Sequence, residues 1–441
     1  MRLSKLWRDD RVLGAILLAA LALGLVYNFT ILPGFAPDEP RHFAYVRLLW
    51  QEHRFPFLLP DGSEYHGAHS LHPPLYYLIL LPFYALLQWL PDAAIYHGLR
   101  LISALICVLS LPLIYDVVRR ACGDSREDET AENRGVWTAR LTCALVALTP
   151  IFGMTSGSVN NDSSSVLAVA LFLWLLSRQK AEITLRDAAL LGLVFGLGTL
   201  CKATVALCDG AALLVFLWAR YGIRSPLFWR AFLVSCFVAW VVMLPWYARN
   251  FALYGKFSPI ESGFSSPALP NPSNGILVMM MHPNFPPLFG YANWGIFTSM
   301  WSQKDWIPEA VRTQVDLGFV ALVVLAAGGH FKLRSPKSRD NSAIQAENRE
   351  SRALRLALYA ALGLNWAACA AMALFVHWGW AEGGRYLVAA FAALAFFIAR
   401  GWNALVPPKI AFAALASLFL MLNGLCVFWL LSYLNPTFGP K

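Results

Sequence analysis

Apolar residues recur in this chain as separate blocks of roughly the 20 residues that span a bilayer, divided by short polar or basic stretches. Few folds accept that pattern. A backbone in lipid must satisfy its own hydrogen bonds, so the blocks are expected to be membrane-crossing helices. Composition agrees: 58% of the 441 residues are hydrophobic and 14% charged, against roughly 45–50% and about 25% in soluble domains. A soluble globular enzyme is excluded.

Hydropathy places about eleven helices, at 12–32, 99–118, 137–153, 163–177, 187–201, 203–219, 230–247, 313–330, 354–376, 386–400 and 410–433. The first follows Arg2, Lys5, Arg8 and Arg11 and lacks a small-residue cleavage site, so it reads as a retained helix rather than a signal peptide. With the N-terminus inside, the basic stretches Arg119–Arg140, Arg178–Arg186, Arg220–Arg230 and Lys332–Arg355 all fall on the cytoplasmic side, as the positive-inside rule requires. The net charge of +9 is then topological, and nucleic acid is not an expected partner. Pro73–Leu90 is apolar, but counting it as a crossing would invert this pattern, so it is expected to lie at or re-enter the outer interface. The whole chain is expected to form one polytopic membrane domain. It has two long extracytoplasmic loops, 33–98 and 248–312, and a flexible cytoplasmic loop, 331–355. The eight cysteines form no CxxC pair, and neither a disulfide framework nor a cysteine metal site is expected.

The charges left at the outer edge are few and grouped. In GFAPDEPRHFAYV, Asp38 and Glu39 stand just beyond the first helix. They suit an N-terminal cap and equally a general base whose basicity is tuned by neighbouring apolar surface. EYHGAHSLHPPLYY carries His66, His69 and His72 at three-residue intervals. This is a weak candidate for a divalent metal, without the regular zinc spacings, and otherwise a wet loop in which His72 precedes a stiff Pro-Pro turn. Asn160, Asn161 and Asp162 open a helix and could cap it or receive an anion there. Lys202 divides an apolar run too long for one crossing, either snorkelling or meeting an anionic partner such as a lipid phosphate. Asp209 lies inside a crossing. Trp246 and Tyr247 form an aromatic belt ahead of Arg249, and Glu382 and Arg385 flank a Gly-Gly turn, paired with each other or turned to a phosphate.

In order along the chain, PDEPRHFAYV, HPPLYYLILLPF, the NND helix start, GLGTLCKAT, PWYARN and GGRYL resemble the GT-C superfamily of membrane glycosyltransferases. The likeness is greatest to the protein O-mannosyltransferases and aminoarabinose lipid A transferases, and covers nearly the whole chain. It implies an all-α integral membrane fold with juxtamembrane helices in the first outer loop. The implied reaction is inverting transfer of a sugar from a polyprenyl-phosphate donor to an extracytoplasmic lipid, glycan or protein. Asp38 matches the family's general base and Glu39 its acidic neighbour. Lys202, Arg249 and Arg385 are the expected donor-phosphate ligands. His42, His72, Asn161, Asp162, Tyr247 and Glu382 are the expected substrate contacts. Leu71–His72 stands where the lipid A transferases carry an acidic–Lys pair, so the donor head group does not carry over. The resemblance fixes no cofactor, and a divalent metal stays open. A lipid-carrier flippase and a ligase using a diphosphate-linked oligosaccharide are the alternatives. A flippase needs a polar route across the bilayer, whereas the charges here collect at one edge, with Asp209 the exception.

Overall fold

The computed structural model describes residues 10–123, 129–179, 182–257, 309–334, 349–375 and 387–434. Fourteen α-helices are named from these residues, in chain order: α1 Arg11–Thr30, α2 Glu39–Glu52, α3 Leu75–Leu87, α4 Asp92–Cys122, α5 Glu129–Leu148, α6 Pro150–Ser156 and α7 Asp162–Ser177. There follow α8 Leu185–Cys201, α9 Val205–Tyr221, α10 Pro226–Tyr254, α11 Glu309–Arg334, α12 Arg349–Phe375, α13 Phe391–Leu405 and α14 Pro408–Trp429. All eleven blocks read from hydropathy fall on helices. Among the described residues, α1, α4, α10 and the helical stretches Leu387–Leu405 and Pro408–Ser432 are long and apolar enough to cross a membrane. The α5–α6 pair makes a sixth if it is one span bent by 63°. The bend sits at Thr149–Pro150, where proline restarts the helix without the amide that would continue the ladder. Hydropathy had run straight through it. The chain is an all-α, multi-pass membrane protein.

α7, α8 and α9 have 16, 17 and 17 residues, each about 24–26 Å at 1.5 Å per residue, short of a full hydrocarbon core of about 30 Å. The chain breaks ahead of α7 at Asn160–Asn161 and between α8 and α9 at Lys202. The segment expected at the interface forms the 13-residue α3, which packs on α2, α4 and α8.

Two ends of the bundle are chemically distinct. At one, Asp10 accepts from Tyr115 and Arg140 while capping α1 through the amides of Val12 and Leu13. Asp116 there holds Arg178 and Arg120, and Arg220 meets Glu350. At the other end, the α1 terminus, α2, α3, the 53–74 loop, the α6–α7 junction and the α8–α9 break converge. The expected flexible loop 331–355 is shorter than hydropathy indicated: 331–334 and 349–355 belong to α11 and α12, and 335–348 lie outside the described residues. So does most of loop 248–312, from 258 to 308.

Candidate active site

The converging end is built around a fully buried ion pair. Arg100, at the start of α4, donates Nε to Glu39 Oε1 at 2.8 Å and Nη2 to Oε2 at 2.6 Å, and both side chains have 0% exposure. Its other N–H groups bind the carbonyls of Asn28, Ile31 and Leu32, which end α1. Glu39 in turn accepts from the amides of Gly34 at 3.1 Å and Val159 at 2.8 Å. One carboxylate and one guanidinium thus tie together α1, the first outer loop, α4 and the α6–α7 junction. With both oxygens committed, Glu39 is a clamp, and its expected catalytic place beside Asp38 is corrected on that ground.

Asp38 sits directly on this clamp. It occupies the N-cap position of α2, but its side chain makes no capping bond, and its backbone is left-handed at φ 58°, ψ 4°. Asp tolerates that region better than most residues, and such positions cost of order 1–3 kcal/mol. Its carbonyl receives the amides of Arg41 and His42, both at 3.0 Å. The carboxylate, 33% exposed, lies 3.8 Å from Arg41 Nη1. The capping role allowed by the sequence is therefore absent, and the carboxylate faces outward from a fixed backbone.

Beside it, residues 57–65 fold back on themselves, with Leu59 N donating to Ser63 O at 2.8 Å and Tyr65 N to Phe57 O at 3.0 Å. This turn is pinned to the end of α10: Arg249 Nη2 donates to Pro56 O at 2.7 Å, and Leu58 N to the Tyr254 hydroxyl at 3.1 Å. Arg249, expected as a phosphate ligand, also stacks over Trp246 at 4.9 Å, so part of its work is to hold the first loop. Tyr247 is half-buried on the same helix end.

The loop delivers His69 and His72 to His42 of α2. Ring centroids are 4.6 Å apart for His42–His69, 4.1 Å for His69–His72 and 5.4 Å for His42–His72. Tyr77, from α3, places its hydroxyl 2.8 Å from His42 Nδ1 and 3.1 Å from His72 Nδ1. The Tyr77 ring stacks on Tyr45 at 3.7 Å. His69 Nδ1 lies 3.5 Å from Glu64, which also takes Arg41 Nε at 2.8 Å. Burial keeps the His69 imidazole below its ordinary pKa even though Glu64 opposes this. Burial alone would raise Glu64, but His69 and Arg41 outweigh it and hold the carboxyl below the usual range. His66 is not part of the group. Its backbone is also left-handed, at φ 51°, and its ring is 60% exposed, 3.3 Å from Glu52. The expected trio of 66, 69 and 72 is corrected to 42, 69 and 72.

On the far side, Asn161 Nδ2 lies 3.4 Å from His72 Nδ1 and 3.3 Å from the carbonyl of Cys201. Asp162, the first residue of α7, is ion-paired with Lys202 at the α8–α9 break, both buried. This corrects the expectation for Lys202, whose ammonium is engaged by a protein carboxylate. Glu382 and Arg385 lie outside the described residues. Arg100 and Tyr77 were not read as functional from the sequence. A single Arg ahead of an apolar run looks like an edge charge, and Tyr77 is one of a Tyr-Tyr pair in an interfacial helix.

Residues 71–246 match the family model described as dolichyl-phosphate-mannose-protein mannosyltransferase. The match begins just before His72 and includes Asn161, Asp162 and Lys202, while Asp38, Glu39 and His42 precede it. No curated protein matches significantly. Among solved structures, ArnT from Cupriavidus metallidurans in the apo state is similar at 16% identity and TM-score 0.50, covering 91% of this chain and 62% of that one. The Archaeoglobus fulgidus oligosaccharyltransferase in complex with Zn and sulfate is similar at 14% identity and TM-score 0.53, covering 94% and 53%. Its structure with an inhibitory peptide and a dolichol-phosphate gives 14% and 0.53, covering 96% and 56%. The chain thus spans between about half and three fifths of the length of these proteins. The chain therefore shares the fold of these solved structures, and its residues 71–246 match the mannosyltransferase family model.

Proposed function

We propose that the protein transfers a sugar from a polyprenyl-phosphate carrier to a hydroxyl or amine acceptor on the extracytoplasmic face of the cell membrane, with Asp38 as general base. The observation that carries this reading is the position of Asp38: an outward-facing carboxylate fixed in a left-handed backbone on the Glu39–Arg100 clamp. A base must be held rigidly and still reach the acceptor proton. Here the clamp supplies the rigidity, and partial exposure leaves the carboxylate accessible.

The donor reading is supported by the family match and by the dolichol-phosphate held by the archaeal fold relative. Arg249, at the end of α10 beside the first loop, and Arg385 are the two proposed cations for the carrier phosphate. Stabilising charge on the departing lipid phosphate is a large part of such catalysis. Lys202, balanced by Asp162, serves to hold the α8–α9 break beside Asn161 and His72. His42, His72, Asn161 and Tyr247 line the acceptor or sugar side. The eleven crossings and the cytoplasmic N-terminus belong to the same proposal, as does the extracytoplasmic site.

Purified protein supplied with polyprenyl-phosphate sugar and membrane extract should release polyprenyl phosphate. Asp38→Asn should lower the rate about 10²–10⁴-fold, the usual contribution of a positioned base, with unchanged elution and thermal unfolding. Full activity in Asp38→Asn would sink the base assignment. Equal transfer from a nucleotide sugar without lipid carrier would overturn the donor.

A further inference from the structure

We propose that His42, His69 and His72 form a binding site for a zinc-class divalent cation. One ring nitrogen from each lies within 4.8 Å of the others. In a tetrahedral zinc site with Zn–N of about 2.0–2.1 Å the nitrogens stand roughly 3.4 Å apart, so side-chain rotations of roughly 1.4 Å close the set. Burial favours this over a solvated cluster: His42 is 0% and His69 4% exposed, and His72 is half-buried. His69 Nε2 is buried with no hydrogen-bond partner, which for a polar atom costs about 1–3 kcal/mol unless something fills the place.

The surroundings have the character of a metal site's outer shell. Metal-binding histidines commonly donate their second ring N–H to a carboxylate or another oxygen, which fixes the tautomer and turns the other nitrogen to the metal. Glu64 stands 3.5 Å from His69 Nδ1 in that role. The Tyr77 hydroxyl lies 2.8 and 3.1 Å from Nδ1 of His42 and His72, and in the proposed site its oxygen accepts from both. In the proposed site each ring then offers Nε2 to the metal. Three protein ligands leave a fourth position open for water or an incoming oxygen, next to the loop that carries Asp38. The site stands on the geometry of this loop and not on sugar transfer, so either proposal can fail alone.

The test uses the full chain in detergent, carrying no polyhistidine tag, stripped with chelator and reloaded with zinc or cobalt alone. Wild-type protein should retain one equivalent of zinc after dialysis, and with cobalt it should show the visible absorption of a four-coordinate nitrogen site. His69→Gln should lose both signals, and Glu64→Gln should weaken binding by roughly 10-fold or more, as outer-shell changes do. His66→Ala should leave both unchanged. His42→Gln serves as the second ligand variant if His69→Gln does not elute as folded protein. Sub-stoichiometric zinc in the wild type overturns the site, as does wild-type binding in the folded ligand variant.

Discussion

Glu39 and Arg100 show how a carboxylate that looks catalytic in sequence can instead be the reason a neighbour is catalytic. A bidentate pair with 0% exposure on both sides is costly to bury, and its attraction offsets that cost only when the remaining hydrogen-bonding sites are filled. Here they are: two amides approach Glu39, and three carbonyls approach Arg100. Glu39→Gln should therefore lower stability by about 3–5 kcal/mol, the cost of leaving one buried charge uncompensated, as measured by denaturant or thermal unfolding in detergent. The two residues share one network, so Glu39→Gln with Arg100→Met should cost less than the sum of the single changes. Strict additivity would show that the pair does not act as a unit. The αL backbone of Asp38 depends on this neighbour, so even a folded Glu39→Gln protein should lose transfer activity along with stability.

At the scale of elements, one close approach of backbones is made by glycines that the sequence reading passed over. α8 carries Gly192 and Gly196 one turn apart, and α10 packs directly on them. A Cβ at Gly192 would run into the carbonyl oxygen of Ser235, and one at Gly196 would lie 2.7 Å from Val242 Cβ and 2.9 Å from Ala239 O. Small residues four apart are how membrane helices come into close van der Waals contact. Gly196→Ala should destabilise by about 1–3 kcal/mol through overpacking. Gly210→Ala, whose Cβ would meet only Phe195 at 3.6 Å, should be neutral or stabilising, and a thermal shift of the same sign and size for both would contradict this account. The contrast also marks what hydropathy can deliver. Block length and charge located the helices and the break at Lys202, because each depends on composition over many residues. The α5–α6 bend was missed because it turns on one proline, and the histidine grouping because His66 occupies a left-handed turn that three-residue spacing cannot reveal. Asp38, His72, Asn161 and Asp162 were legible as polar residues at helix ends. Arg100 and Tyr77 were not, since their role exists only once α4 and α3 are packed against the first loop.

At the scale of the whole molecule, the two ends differ in what their charges do, and the proposed orientation rests on that difference. One end holds Asp10–Arg140, Asp116–Arg178 and Arg220–Glu350, where acidic residues from the helices tie down the basic connections. The other end holds the Asp38 loop, the histidines and the Asp162–Lys202 pair. Basic loops favour the cytoplasm because Lys and Arg resist translocation, so the proposed orientation has the candidate site outside, where lipid-linked donors would be met at the membrane surface. The turn at Arg224, between α9 and α10, is exposed at the first end, and Asp61 is exposed at the tip of the 57–65 turn at the second. Single cysteines at these two positions, in a background with the native cysteines replaced, should report opposite sides. Asp61→Cys should react with a membrane-impermeant maleimide added to intact cells or spheroplasts, and Arg224→Cys only after the membrane is opened. Labelling of both from outside would break the bundle's two-ended assignment. The reverse pattern would put the Asp38 loop in the cytoplasm, and a nucleotide sugar would then become the donor to test first, because it is present on that side and needs no lipid carrier.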